Sequence, residues 1–147
     1  MAAEDRYRLT PLRDARARAE RIRRGDLAVA VGDATLTQAR LDAARARSNA
    51  AREAVTAAVA TRATLFTGPT TPAQLVLADE LITRRRNELD RAIGEELRAE
   101  AAHDTRLGSL DEARQRLARA RAQRELIERH FANWRTTQAK LAERRED

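Results

Sequence analysis

The chain contains no cysteine among its 147 residues, which excludes disulfides and thiolate metal sites and leaves the redox compartment open. Aromatic side chains are almost as scarce: one Trp, one Tyr and two Phe. The five glycines stand alone at 25, 32, 68, 94 and 108, so there is no glycine-rich loop to cradle a phosphate. No apolar run approaches the roughly 20 residues that a membrane-spanning helix requires. The opening MAAEDRYRLT has an acidic pair and no apolar h-region, which predicts no secretory signal and a soluble, cytoplasmic protein.

Ala and Arg dominate what is present, with Leu and Glu behind them. The chain is 42% hydrophobic and 35% charged, the profile of long helices or coiled coil. Alanine buries little area, so any core is thin. Disorder shares this composition, and only periodicity separates the two. The formal net charge is +6, from 29 basic and 23 acidic residues. Such a surplus permits nucleic acid, acidic lipid or an acidic protein surface as partner. The signs are interspersed, however, and the longest purely basic block is Arg84 to Arg86. A solvated helix surface with a basic tilt is the plainer reading.

Punctuation is concentrated at FTGPTTPAQ, Phe66 to Gln74. Gly68-Pro69 signals a turn, and Thr71-Pro72 signals an N-cap followed by proline at the first helical position. Thr10-Pro11 is a start of the same kind. These marks predict one all-α, long two-helix antiparallel coiled-coil hairpin, with helix 1 over about 11–65, a turn at 66–72 and helix 2 over about 73–145.

Helix 2 carries a heptad register. One seam position recurs every seven residues from Leu75 to Gln138, the other from Ala78 to Leu141, and most occupants are apolar. Its least regular section is Glu96 to Arg106, where Ile93, Leu97 and Leu107 predict a sideways drift of the apolar stripe. Helix 1 repeats the pattern with smaller residues from Leu27 through Ala34, Leu41, Ser48 and Val55 to Leu65. Ahead of it, Leu12, Ala15, Ala19 and Ile22 predict a register displaced by one residue, with a bend or overwinding near Gly25. Two matched seams joined by a tight turn argue against disorder.

Folding the chain back near residue 70 pairs positions whose numbers sum to about 140, by the geometry of antiparallel helices on a short loop. Leu65 then meets Leu75, Leu9 comes opposite Phe131, and Tyr7 falls near Trp134. Beyond that point helix 2 outlasts helix 1, so Trp134 and Leu141 form a seam without a mate, which points to an interface.

No catalytic constellation is present. His103 and His130 are distant on one helix; His103 reads as a register-setting polar seam residue near Glu96 and Glu100, and His130 as a surface residue. Serines and threonines have no accompanying base, and a narrow two-helix hairpin is expected to offer no concave pocket. The expectation is a non-enzyme without cofactor or metal.

The segment YRLTPLRDARARAERI, with Tyr7, Leu9, Leu12 and Arg16 at its marked positions, resembles the start of the FliJ/YscO family, the central stalk proteins of bacterial type III secretion and flagellar export. The ending RHFANWRTTQAKLAERRED is similar to that family's charged C-terminal helix, and the likeness covers nearly the whole chain. The resemblance implies a non-enzymatic stalk, cytoplasmic and peripheral to the inner membrane. Its open end would insert into a hexameric export ATPase through Leu9, Leu12, Arg16, Phe131, Trp134, Arg135 and Leu141. Its tip, with Leu65, Phe66 and Leu75, would meet the export gate membrane protein. Export chaperones would be further partners. Two other classes stay open: a self-associating coiled-coil scaffold and a nucleic-acid-binding helical hairpin, the latter disfavoured by the interspersed acids.

Overall fold

The structure is a computed structural model that describes residues 6–146. Two helices, α1 (Thr10–Thr64) and α2 (Pro72–Glu146), are joined by a single 3₁₀ turn at Leu65–Thr67, an all-α helical hairpin.

Local chemistry sets the helix ends. The Thr10 hydroxyl donates to the carbonyl of Tyr7 at 2.7 Å, closing the turn that enters α1. At α2 the Thr71 hydroxyl accepts the backbone N–H of Gln74 at 3.3 Å, while the Gln74 amide oxygen accepts that of Thr71 at 2.9 Å. This reciprocal pair is a capping box, with Pro72 at the first helical position where no N–H is needed. The Thr70 hydroxyl donates to the carbonyl of Leu65 and so engages a carbonyl left over at the end of α1. Arg144 and Arg145 occupy the last turn of α2, where positive charge suits the helix dipole.

The hairpin divides into two compact units, a terminal unit (1–32 with 108–147) and a turn unit (33–107). In the turn unit the helices pack through small residues: Ala34, Leu41, Ala44, Ser48 and Ala58 of α1 are buried, as are Ile82 and His103 of α2. The cross-helix pairs Asp33–Arg106, Arg45–Glu96 and Arg62–Asp79 show antiparallel pairing, with residue numbers summing close to 140 as folding back near residue 70 predicts.

The expected sideways drift between Glu96 and Arg106 does not occur. Of the residues that marked it, Ile93 is half-buried but Leu97 and Leu107 are exposed. Arg106 alone of that seam stretch turns outward, while Glu96 and His103 keep their seam places. The reason is that each has a polar mate. Ser48, fully buried, donates to Glu96, and the Thr37 hydroxyl shares a 2.9 Å hydrogen bond with His103 Nδ1. A satisfied polar group can remain in a seam where an unsatisfied one would be driven out.

In the terminal unit Leu110, Ala113, Leu117, Ala120 and Ile127 of α2 are buried. Here the displaced register expected for α1 is corrected: Leu12, Ala15 and Ile22 are exposed and only Ala19 is half-buried. Glu20 is buried and Arg13, Arg16, Ala17, Ala19, Leu27 and Ala30 are half-buried, and α1 runs unbroken through Gly25. Long charged side chains lay their aliphatic stems across the interface and pair at its margin, so they occupy seam positions that apolar patterning assigned to their neighbours.

Candidate functional site

The terminal unit has two unlike edges. Along one, charged residues bridge the helices. Arg13 Nε donates to Glu128 Oε1 at 2.7 Å. That bond holds the Glu128 carboxyl below the usual carboxylate range and raises Arg13 further. Deeper in, the Glu20 side chain, only 4% exposed, gathers Arg24 Nη2 at 2.9 Å, Arg121 Nε at 3.7 Å and Arg124 Nε. Arg124 Nε is itself enclosed, and its contact with Glu20 is an ion pair without hydrogen-bond geometry.

At the end of this edge Tyr7, buried at 5% exposure, organises the aromatics. Its ring lies 5.0 Å from Phe131, edge-on, and 5.2 Å from Trp134; Phe131 and Trp134 stack at 5.9 Å. The Arg13 guanidinium sits 4.1 Å over the Phe131 ring and Arg135 lies 6.0 Å from it, cation–π contacts that cover its faces. The Tyr7 hydroxyl shares a 2.8 Å hydrogen bond with His130 Nδ1, so His130, a surface residue as expected, is also a structural partner.

The other edge is apolar. Leu9, Leu12 and Arg16 of the α1 side and Gln123, Leu126, Ile127 and His130 of α2 line a groove of about 360 Å³. Leu12 is 41% exposed and Leu126 70% exposed, and the polar bridge across the groove is Arg16 Nη1 donating to Gln123 at 2.6 Å. The covered ends of this unit also concentrate charge. Residues 1–32 and 108–147 hold 18 basic and 12 acidic residues, whereas residues 33–107 hold 11 of each, so the whole surplus of +6 belongs to the terminal segments.

The residues singled out from sequence thus separate into groups. Leu9, Leu12 and Arg16 come together on the groove. Phe131, Trp134 and Arg135 come together around Tyr7, on the opposite edge. Two expectations are corrected. Phe131 packs on Tyr7 and Arg13, not opposite Leu9. Trp134 is not a seam residue without a mate, because Tyr7, ahead of the first turn of α1, reaches it. Leu141 is exposed on α2, apart from both groups. In the turn unit Leu65 and Leu75 are half-buried and Phe66 is 64% exposed, with Arg62 5.4 Å over its ring.

Leu126 and Gln123 were not singled out from sequence. The doublet Leu126-Ile127 carried the signal, since two adjacent apolar residues on a helix cannot both face one partner. Among the described residues no group of three or more His, Asp or Glu is placed to hold a metal ion, and no helix is long and apolar enough to cross a membrane. No protein-family model, curated protein or solved structure matches this chain.

Proposed function

We propose that the protein is a non-enzymatic central stalk of a bacterial type III secretion or flagellar export apparatus, cytoplasmic and peripheral to the inner membrane. The reading starts from the resemblance of YRLTPLRDARARAERI and RHFANWRTTQAKLAERRED to the FliJ/YscO family. The observation that carries it furthest is the terminal unit itself, where an exposed apolar groove and an Arg-capped aromatic cluster share the protein's entire positive surplus. A stalk gripped by a surrounding ring needs recognition surfaces on more than one side, and the two edges of this unit supply them.

In this scheme the hexameric export ATPase receives the terminal unit through Leu9, Leu12 and Arg16 on one edge, Phe131, Trp134 and Arg135 on the other, and Leu141 beyond. The exposed Phe66, with Leu65 and Leu75, meets the export gate, and export chaperones are further partners. The stalk hydrolyses nothing; it promotes ring assembly and links the ATPase to the gate.

The test is titration of the purified chain into an export ATPase, read by sedimentation and ATP turnover. Ring formation and raised turnover are expected, with paired Leu9→Asp and Leu12→Asp substitutions abolishing both and Phe66→Ala leaving both intact. An ATPase that neither binds nor gains oligomer or activity sinks the proposal. Concentration-dependent self-association of the chain alone would favour the scaffold reading instead.

A further inference from the structure

The groove of the terminal unit has a shape and a charge that specify its occupant. We propose that it receives a single amphipathic α-helix from a partner protein, whose apolar stripe is flanked by carboxylates. This rests on the stalk reading only in giving one surface assigned to the ATPase a partner chemistry; the shape and charge are those of the groove alone.

Shape comes first. Leu9 and Leu12 stand three apart on the α1 side, and Gln123, Leu126 and His130 stand three and four apart on α2. These spacings place one row on each wall, over roughly 10 Å, or two helical turns. A furrow between two helices, floored by Ile127 and walled by leucines, accepts the i, i+3/i+4, i+7 stripe of a third helix. The groove is crossed by Arg16–Gln123 at one end and its leucine walls stay open beyond it, whereas the opposite edge is bridged by Arg13–Glu128 and again by the Glu20 cluster.

Charge then selects the kind of helix. Among the described residues no carboxylate lines the groove, whereas Arg16 and His130 do. Arg119 stands one heptad before Leu126 on the same face of α2. Two of the unit's carboxylates nearest the seam, Glu20 and Glu128, are committed to arginines on the far edge. A helix with a basic flank would therefore meet repulsion, and an acidic one attraction. A second copy would present the same basic lining, with no carboxylate among the described lining residues to complement Arg16, which disfavours self-association here. A phosphate backbone or an anionic lipid surface would satisfy the arginines but leave the leucine walls in water.

The probe is a synthetic helical peptide with leucines at i, i+3, i+7 flanked by glutamates, labelled and followed by anisotropy, beside a peptide with the same leucines flanked by lysines. The acidic peptide is expected to bind saturably and to weaken as salt rises. Leu126→Glu, which alters an outward side chain, should weaken it by about tenfold or more. Arg119→Glu leaves the apolar walls intact and should weaken the acidic peptide while strengthening the basic one. Far-UV circular dichroism checks that both variants remain helical. Equal or tighter binding of the lysine peptide overturns the proposal, as does an unchanged affinity in Leu126→Glu. So does a groove-dependent dimer in sedimentation, or Leu126-dependent binding to anionic vesicles or duplex DNA. Binding of the export ATPase by the native chain speaks to the stalk reading alone, and the peptide pattern to the groove alone.

Discussion

Glu20 offers the sharpest test of how the terminal unit is held together. Its side chain is 4% exposed, while Arg24, Arg121 and Arg124, which converge on it, are 41–61% exposed. Removing one member of a buried pair usually costs about 3–5 kcal/mol, because a charge is stranded out of water. Here the stranded groups after Glu20→Ala are guanidiniums of side chains about half in solvent and able to turn outward, although Arg124 Nε itself is enclosed. Half-exposed pairs are worth up to ~1 kcal/mol each and are not additive, so Glu20→Ala should cost about 1–2 kcal/mol. With a urea m-value of about 1–3 kcal/mol/M, the unfolding midpoint falls by roughly 1 M. Glu20→Leu removes the same pairs but returns an apolar side chain to a seam position beside Ala120 and Leu117, and should stay within about 0.5 kcal/mol of the native chain. Urea unfolding followed by fluorescence reports on this unit, because Trp134, the only tryptophan, lies in it. The gap between native and Glu20→Ala should narrow with salt. A loss above about 3 kcal/mol in Glu20→Ala would show that the arginines are trapped after all. Equal damage from Glu20→Leu would show that the ion cluster, and not the covered seam, stabilises the unit.

Gly25 lies inside α1, and a Cβ there meets no atom within 4 Å, so Gly25→Ala should raise stability by about 0.5–1 kcal/mol in thermal unfolding. The Glu128 carboxyl titrates low because Arg13 hydrogen-bonds its charged form, so its contribution is complete above the ordinary carboxylate range and is lost as pH falls through the lowered value. Glu128→Gln should therefore lower the urea midpoint at neutral pH and flatten its fall toward acid, where native and variant converge, as followed by Trp134 fluorescence. His103→Leu should be neutral or mildly stabilising, since Thr37 keeps its 3.1 Å donations toward the carbonyls of Asp33 and Ala34, and chemical denaturation will show whether it is.

Most of the fold was legible because its two signals are local. A threonine before a proline starts a helix whatever lies opposite, and Thr10-Pro11 and Thr71-Pro72 stand at the observed starts. Apolar residues alternating at three and four give α2 one covered stripe, from Leu75 through Leu89 and Leu117 to Gln138. Failure came where the seam is polar. Arg13, Arg16 and Glu20 look like surface and Leu12 and Ile22 look like core, because periodicity counts apolarity and cannot see a cross-helix mate. The same blindness hid the candidate site: Leu9 and Leu12 form a groove only with Leu126, more than a hundred residues away in sequence. Tyr7 was recognisable as an aromatic near Trp134, but not as the ring that covers it.

The polar mates inside the turn unit limit how it can move. Sliding one helix by a heptad would carry Thr37 from His103 onto Glu96 or Leu110, and Ser48 from Glu96 onto Leu89 or His103. At least one buried group would lose its partner at each place, at about 1–3 kcal/mol apiece. Arg62 would leave Asp79 in the same step. Helices in such a pair are keyed like a shaft in a slotted collar: they can turn or tilt together, but they cannot shift gear along their length. Force applied to this unit would therefore displace both helices at once and would not slip one past the other.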